Sequence, residues 1–374
     1  MTRRLKLSSI NPFGRVRKPP PAEASLKAAA GWLARAQEAT PDDGVSAFYD
    51  AAKKRWAGSY PETTGYIIPT LYDYAVLSGE SGYAERATRM AAWECDIQLP
   101  EGGVMAGTMD ADTRVPTIFN TGQVLFGWVR ALRETGEQRY RDSLVRACDW
   151  LLSAQDEDGA WRRHGSPFTS HSVNTYNTRV AYGLAQAGAI LNEPRYLDAA
   201  SDNVEWALTQ VRDNGWLENN DLEDNSKPLT HTIAYAVRGI LEVGLLTGDT
   251  RFVERAEYIA RAVAGTQRSD GALPGRLDPN WRPGARWSCL TGNAQMCIVW
   301  LRLSEAVSPR RWRHHSRRAL DFTRATQSLR ISNSGILGGI AGSAPVSGGY
   351  MRKRYPNWAA KFYMDALMLM DKAV

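Results

Sequence analysis

Three sets of side chains in this 374-residue chain are of types that could move protons or hold a polar substrate. The first set is carboxylate: Glu62, in Tyr60-Pro-Glu-Thr-Thr-Gly65, and the pair Asp110 and Asp112, in Met109-Asp-Ala-Asp-Thr-Arg114. Acid–base work on a glycosidic bond ordinarily uses two carboxyl groups across a cleft, and like charges held close raise the pKa of one of them. The plainer reading of the Asp pair is an Asx turn, or an ion pair with Arg114. The second set is His171, Tyr176 and Arg179, within nine residues of one another, together with His231. These could supply the base, the proton donor and the carboxylate-quietening cation needed to remove a proton such as C5–H of a uronate; singly, each His reads as a structural side chain. The third set is suited to binding: Arg55, Tyr60, Asn120, Gln123, Asn177, Trp216, Trp287, Asn293, Gln295, Asn357 and Lys361. Some of the Asn would serve only as helix caps. Arg179 and Lys361 would sit in the first turns of helices, where a cation opposes the macrodipole, so an anionic ligand group is expected beside them.

What must position these residues is a repeat. A glutamine that closes a helical stretch and is followed by a glycine turn recurs as Gln37/Gly44, Gln98/Gly102, Gln155/Gly159, Gln210/Gly215, Gln267/Gly271 and Gln327/Gly335, at spacings of 55 to 61 residues. Internal repetition at such a period marks a modular helical architecture. An aromatic residue precedes the glutamine by 14 or 15 positions in five copies: Tyr83, Tyr140, Tyr196, Phe252 and Trp312. Tyr140, Leu144, Ala147 and Leu151 follow the spacing of one helix face. A second helix is predicted 20 to 30 residues after each glutamine, over about 63–78, 120–135, 177–190, 230–246, 291–306 and 356–371. These second helices are apolar on most sides, as in Met296-Cys-Ile-Val-Trp-Leu301, and so belong inside. The expectation is an all-α fold, an (α/α)6 toroid of six helical hairpins over residues 23–374, preceded by a basic tail over 1–22. An open solenoid is the rival, but it carries polar capping repeats that are not seen here. In a toroid the inner helices begin at one end, so all three sets of residues are expected to meet in one bowl.

Gln155-Asp-Glu-Asp-Gly-Ala-Trp161 resembles the Q-x3-G-x-W repeat of squalene and hopene cyclases and related prenyltransferases. The helix order and first-turn motifs resemble six-hairpin glycosidases, polysaccharide lyases and sugar epimerases. Within that group, Tyr60-Pro-Glu-Thr-Thr-Gly-Tyr-Ile-Ile-Pro-Thr70, Phe119-Asn-Thr-Gly-Gln123, Leu229-Thr-His-Thr-Ile-Ala-Tyr235, Cys289-Leu-Thr-Gly-Asn-Ala-Gln295 and Tyr355-Pro-Asn-Trp-Ala-Ala-Lys361 are similar to a set of bacterial proteins associated with exopolysaccharide biosynthesis. The resemblance covers about residues 25–374 and brings no established catalytic residues with it.

The resemblance and the residues together imply a carbohydrate-active enzyme, a hydrolase, lyase or epimerase, whose partner is an anionic, uronic-acid-containing oligosaccharide or polysaccharide. Terpenoid cyclisation is the alternative: Asp110-Ala-Asp112-Thr resembles the Asp-rich protonating motif of such cyclases but lacks their further adjacent Asp. A non-catalytic glycan-binding component of a synthesis machinery is the third reading. No cofactor or metal is expected, because HExxH, calcium-loop, phosphate-loop and dinucleotide motifs are missing, and nothing matches a nucleic-acid-binding module. The basic tail and Arg310-Arg-Trp-Arg-His-His-Ser-Arg-Arg318 could touch a membrane surface or a synthase. Cys95, Cys148, Cys289 and Cys297 have no paired spacing and read as buried thiols. With no signal-peptide pattern and no apolar run of ~18 residues, a cytoplasmic location is expected.

Overall fold

The computed structural model describes residues 18–112 and 114–372. It is built from twelve helices: α1 (Ala22–Glu38), α2 (Pro61–Ser78), α3 (Gly82–Asp96), α4 (Ile118–Thr135), α5 (Gln138–Ala154), α6 (Thr178–Leu191), α7 (Pro194–Thr209), α8 (Thr230–Thr247), α9 (Thr250–Gly265), α10 (Leu290–Ala306), α11 (Pro309–Thr326) and α12 (Asn357–Lys372). The even-numbered helices pack side by side in one inner ring, and α12 returns to α2. The odd-numbered helices form the outer ring, as expected of an (α/α)6 toroid. Most of the tail expected over 1–22 lies outside the described residues.

The sequence explains which ring each helix joins. Every residue of α8 from Thr230 to Val237 is buried, whereas α9 buries only one face, through Phe252, Ala256, Ile259, Ala260 and Val263. Inner helices also approach closely at glycines. A Cβ at Gly127 would stand 2.5 Å from the Gly65 carbonyl, and one at Gly239 would stand 2.2 Å from the Thr178 backbone.

The first five inner helices are each joined to the next outer helix by a tight turn. Three of these turns end in left-handed Gly79, Gly136 and Gly248, and a fourth in Asn192 at φ 57°, a conformation that glycine and asparagine accept most readily. The intimate hairpins are therefore inner-to-outer, and α12 pairs with α1 to complete the sixth. The long connections run from outer to inner helix and gather at one mouth.

The repeated glutamine pins this arrangement together. Gln155 Nε2 donates to Gly159 O within its own turn and to Ala199 O on the next outer helix, at 2.9 Å each. Gln98 and Gln267 do the same to Ser143 and His315. Gln327 bonds Ser25 O on the first helix, which closes the ring. Its partner turn is at Gly338 rather than the expected Gly335: Gly338 has φ 83°, and a Cβ there would meet Ala28 O at 2.1 Å. Gln37 bonds Asp43 O, and Gln210 departs from the pattern by bonding Thr209.

Short strands stitch the mouth. Among them, β1 (Phe48–Asp50) pairs antiparallel with β2 (Arg55–Trp56) on one side and with β3 (Arg354–Pro356) on the other, placing Tyr49 opposite Tyr355. The basic run over 310–318 lies on α11: Trp312 and Ser316 are buried, while Arg311, Arg313 and Arg317 are exposed. That is the pattern of a solvated outer face.

Candidate active site

The outer-to-inner loops and the first turns of the inner helices enclose a bowl of about 420 Å³. Five of the residues singled out by sequence line it: Tyr60, Glu62, Asn120, Tyr176 and His231. Glu62 is in the first turn of α2, and Tyr60 Oη donates to its Oε2 at 2.6 Å. Burial pushes the Glu62 carboxyl up to about 7, partly offset by that hydrogen bond. Tyr60 is held well above its ordinary value, by burial first and then by the neighbouring Glu62 charge. His231 Nδ1 lies 2.7 Å from Gln295 Oε1. An amide oxygen can only accept, so Nδ1 carries the proton and Nε2 keeps its lone pair. Burial pushes His231 down to about 4, against the raising effect of Gln295. Near neutrality the bowl thus holds a carboxyl group poised to give a proton and a neutral imidazole.

The rest of the lining is aromatic. Phe119 packs edge-on against Tyr176 and Tyr235, with centroids 5.2 Å apart in both cases. His231 lies between Tyr235, at 4.5 Å, and Tyr350, at 5.6 Å. Tyr350 Oη accepts from Trp358 Nε1. Tyr66 and Tyr235 form the floor, since each also lines a separate cavity at the opposite mouth. Arg354 is the only cation among the bowl's lining residues. It sits over Phe48 at 4.5 Å and faces Asp50 at 3.5 Å.

The sequence reading missed Tyr66, Tyr350, Trp358 and Arg354 as site residues. The signal for the last three was their position in or just after the final long loop, in Gly349-Tyr-Met-Arg-Lys-Arg-Tyr-Pro-Asn-Trp358. Tyr66 and Tyr235 are one turn inside their helices and carried only a core signal.

The other expected site residues are placed elsewhere. Arg179, Gln295 and Lys361 line the opposite cavity, not the bowl. The Arg179 side chain is long enough to pass the tyrosine floor, and its guanidinium rests 4.0 Å over Phe126, two turns down α4. Gln123 lies beneath the floor and accepts from Arg179 Nε. Asn293 and Asn357 are structural ties: Asn293 Oδ1 accepts from Leu273 N, and Asn357 Nδ2 donates to Ser46 O and Thr63 Oγ1. Asn120, although it borders the bowl, makes the same kind of tie to Met105 O. None of these Asn caps its helix; Asn120 and Asn293 bond back to their own loops, and Asn357 ties the last inner helix to the first long loop and α2. Asn177 is buried in a 3₁₀ turn outside the bowl lining.

Trp216 is a core residue packed on Trp281 at 5.3 Å, and Trp287 covers Gly275 and Gly349. Asp110 and Arg55 line an adjacent groove of about 400 Å³. Asp112 is exposed, and His171 lies on the loop surface with Ser170 as its neighbour. The expected two-carboxylate cleft is therefore reduced to one carboxyl group, Glu62, among the bowl's lining residues. Among the described residues no three His, Cys, Asp or Glu side chains converge as a metal site requires.

A closed helical toroid with an acidic group in an aromatic bowl defines the six-hairpin glycosidase class of architecture. Residues 14–268 match the family model described as beta-L-arabinofuranosidase, GH127 catalytic domain, and the chain belongs to that family. Solved structures share the fold at low identity. An unsaturated glucuronyl hydrolase specific for heparin matches at a TM-score of 0.76 and 19% identity, covering 94% of this chain and 97% of that one. The unsaturated glucuronyl hydrolase of Bacillus sp. GL1 matches at 0.75 and 16%, covering 95% and 98%. Cellobiose 2-epimerase from Bacillus thermoamylovorans B4167 matches at 0.71 and 11%, covering 94% and 98%. A copalyl diphosphate synthase from Streptomyces cyslabdanicus is 26% identical over 231 residues, 49% of this chain, and the match spans 42% of that protein's length. No described helix is long and apolar enough to cross a membrane.

Proposed function

We propose that the bowl binds the end of a uronic-acid-containing oligosaccharide and that Glu62, in its protonated form, delivers the proton that cleaves a glycosidic bond. The observation that carries this reading is Glu62 itself, a carboxyl group held near pH 7 by burial and oriented by Tyr60. In the reaction the glycosidic carbon–oxygen bond breaks as its oxygen takes the Glu62 proton. A water oxygen bonds to the sugar carbon, and its proton passes to the free His231 Nε2. The rings of Phe119, Tyr176 and Tyr235 offer faces for sugar stacking, and Arg354 offers a charge-assisted partner for a carboxylate. Membership of a glycosidase family supports hydrolysis over elimination or epimerisation, and the glucuronyl hydrolases of the same fold support a uronate. Exopolysaccharide metabolism as the setting rests on the motif resemblance alone.

A second reading, terpenoid cyclisation, is favoured by the density of aromatic rings and the partial match to copalyl diphosphate synthase. Against it, Asp110 and Asp112, the residues resembling a protonating motif, do not border the bowl. The test is turnover of uronate-ended and neutral oligosaccharides, and of a prenyl diphosphate, followed by mass spectrometry. Cleavage of the uronate-ended substrates is expected, with Arg354→Gln raising KM for them and not for neutral ones. Conversion of the prenyl diphosphate alone would replace this reading.

A further inference from the structure

The toroid holds a second cavity, about 340 Å³, at the opposite mouth, which the proposed reaction does not use. Seven cationic side chains line it against three carboxylates. Four of these cations are paired: half-buried Arg130 with Asp73 at 2.7 Å, Arg238 with Glu242 at 2.6 Å and Arg302 with Glu242 at 2.9 Å, and buried Lys361 with Asp365. Arg179 is different. It is 5% exposed, and among the described residues it has no ion-pair partner. Among the described residues its hydrogen bond is from Nε to Gln123 at 3.3 Å, and the other four of its five N–H donors meet no acceptor there. Burial, reinforced by Arg238, lowers its pKa, and burial lowers the neighbouring Lys361 to about 8.

Cations near helix C-termini offset the macrodipole. That accounts for Arg130, Arg133 and Arg302, which sit in the last two turns of inner helices. It does not account for Arg179, the second residue of α6, where the dipole is unfavourable. The Asp365 charge acts on it only at a distance; a buried guanidinium without a carboxylate in contact is costly, and this one lies on the wall of a cavity whose size suits a small molecule.

We propose that this basic cavity is a binding site for a small phosphate-bearing molecule, with Arg179 as its central anchor and Lys361 beside it. The excess of four positive charges in the lining matches a dianion better than a single carboxylate. The Phe126 and Tyr182 rings that flank Arg179, at 4.0 and 5.3 Å, offer an apolar wall to an attached organic group.

Calorimetry on the full chain with inorganic phosphate, a hexose 6-phosphate and the neutral hexose tests the proposal. Both anions are expected to bind, and the neutral sugar is not. The tighter of the two identifies free phosphate or an organic phosphate as the ligand. Arg179→Gln should weaken binding at least tenfold. Gln186→Glu, which puts a carboxylate on the cavity wall without removing a cation, should do the same if the Arg179 variant fails to fold. Glu62→Gln, in the other cavity, should leave phosphate binding unchanged. No binding of either anion by the parent protein would overturn the proposal, as would equal binding by a folded Gln186→Glu variant; Arg179 would then be a packing residue held by Gln123 and the Phe126 and Tyr182 rings.

Discussion

At the scale of the residue, the chemistry turns on how a carboxyl group is kept protonated near pH 7. Glu62 is removed from water among Tyr66, Tyr235 and Tyr60, and among the described residues the hydrogen bond it receives comes from Tyr60. Two limbs follow for activity. His231 must be neutral, which holds above about pH 4, and Glu62 must carry its proton, which holds below about pH 7. Turnover should rise through the lower value and fall through the upper one. Glu62→Gln should lower kcat by ~10²- to 10⁴-fold, and any residual activity should lack the upper limb; a retained upper limb would assign it to another group.

The same shift is linked to stability. The unfolded chain loses this proton near pH 4.5, while the folded protein keeps it to about 7. Glu62 therefore contributes stability in full below pH 4.5, and that contribution is lost as pH rises through 7. Because the side chain opens partly onto the cavity, a loss of ~1–2 kcal/mol between pH 5 and 8 is the expected size. Glu62→Gln should flatten this part of the denaturation profile.

At the scale of the element, the repeated glutamine acts as a clamp between successive hairpins, not as a cap of its own helix. Gln155 satisfies two carbonyls on different elements, whereas Gln210 reaches only the adjacent Thr209 and accepts from Asn219. Gln155→Ala should cost ~1–3 kcal/mol in urea denaturation, since it removes two hydrogen bonds that tie successive hairpins together, and Gln210→Ala less than ~1 kcal/mol. Equal costs would mean that the clamp contributes nothing beyond helix propensity. The clamp was legible as a spacing of glutamines. Its function was not, because the second acceptor lies some 45 residues away on another helix.

At the scale of the whole molecule, the ring is closed by contacts between its two ends. Trp32 is wholly buried, and its Nε1 donates at 2.8 Å to Gly335 O, 303 residues away. Gln327 bonds Ser25 O, and β1 pairs with β3. A closed ring has no free end from which to fray, unlike a solenoid whose repeats answer only to their neighbours. Trp32→Ala should cost ~3–5 kcal/mol and shift the far-UV circular dichroism and tryptophan fluorescence transitions together. Separated transitions would show that the first and last hairpins unfold on their own.

The order of the twelve helices, their assignment to inner and outer rings, and the mouth at which Glu62, Tyr176 and His231 meet were all written in the sequence. Each depends on periodicity and chain order, which are local. Which side of the floor a side chain serves was decided only by the tertiary structure. Arg179 and Glu62 both belong to the first turns of inner helices, yet the guanidinium passes beneath Tyr66 and Tyr235 while the carboxyl stays above them. Asn293 and Asn357 look like site residues or caps until the loop backbones they hold are in place. A helix start specifies the height of a Cα along the ring axis. The length and direction of a side chain, and the rings contributed by distant helices that form the floor, settle which cavity receives it.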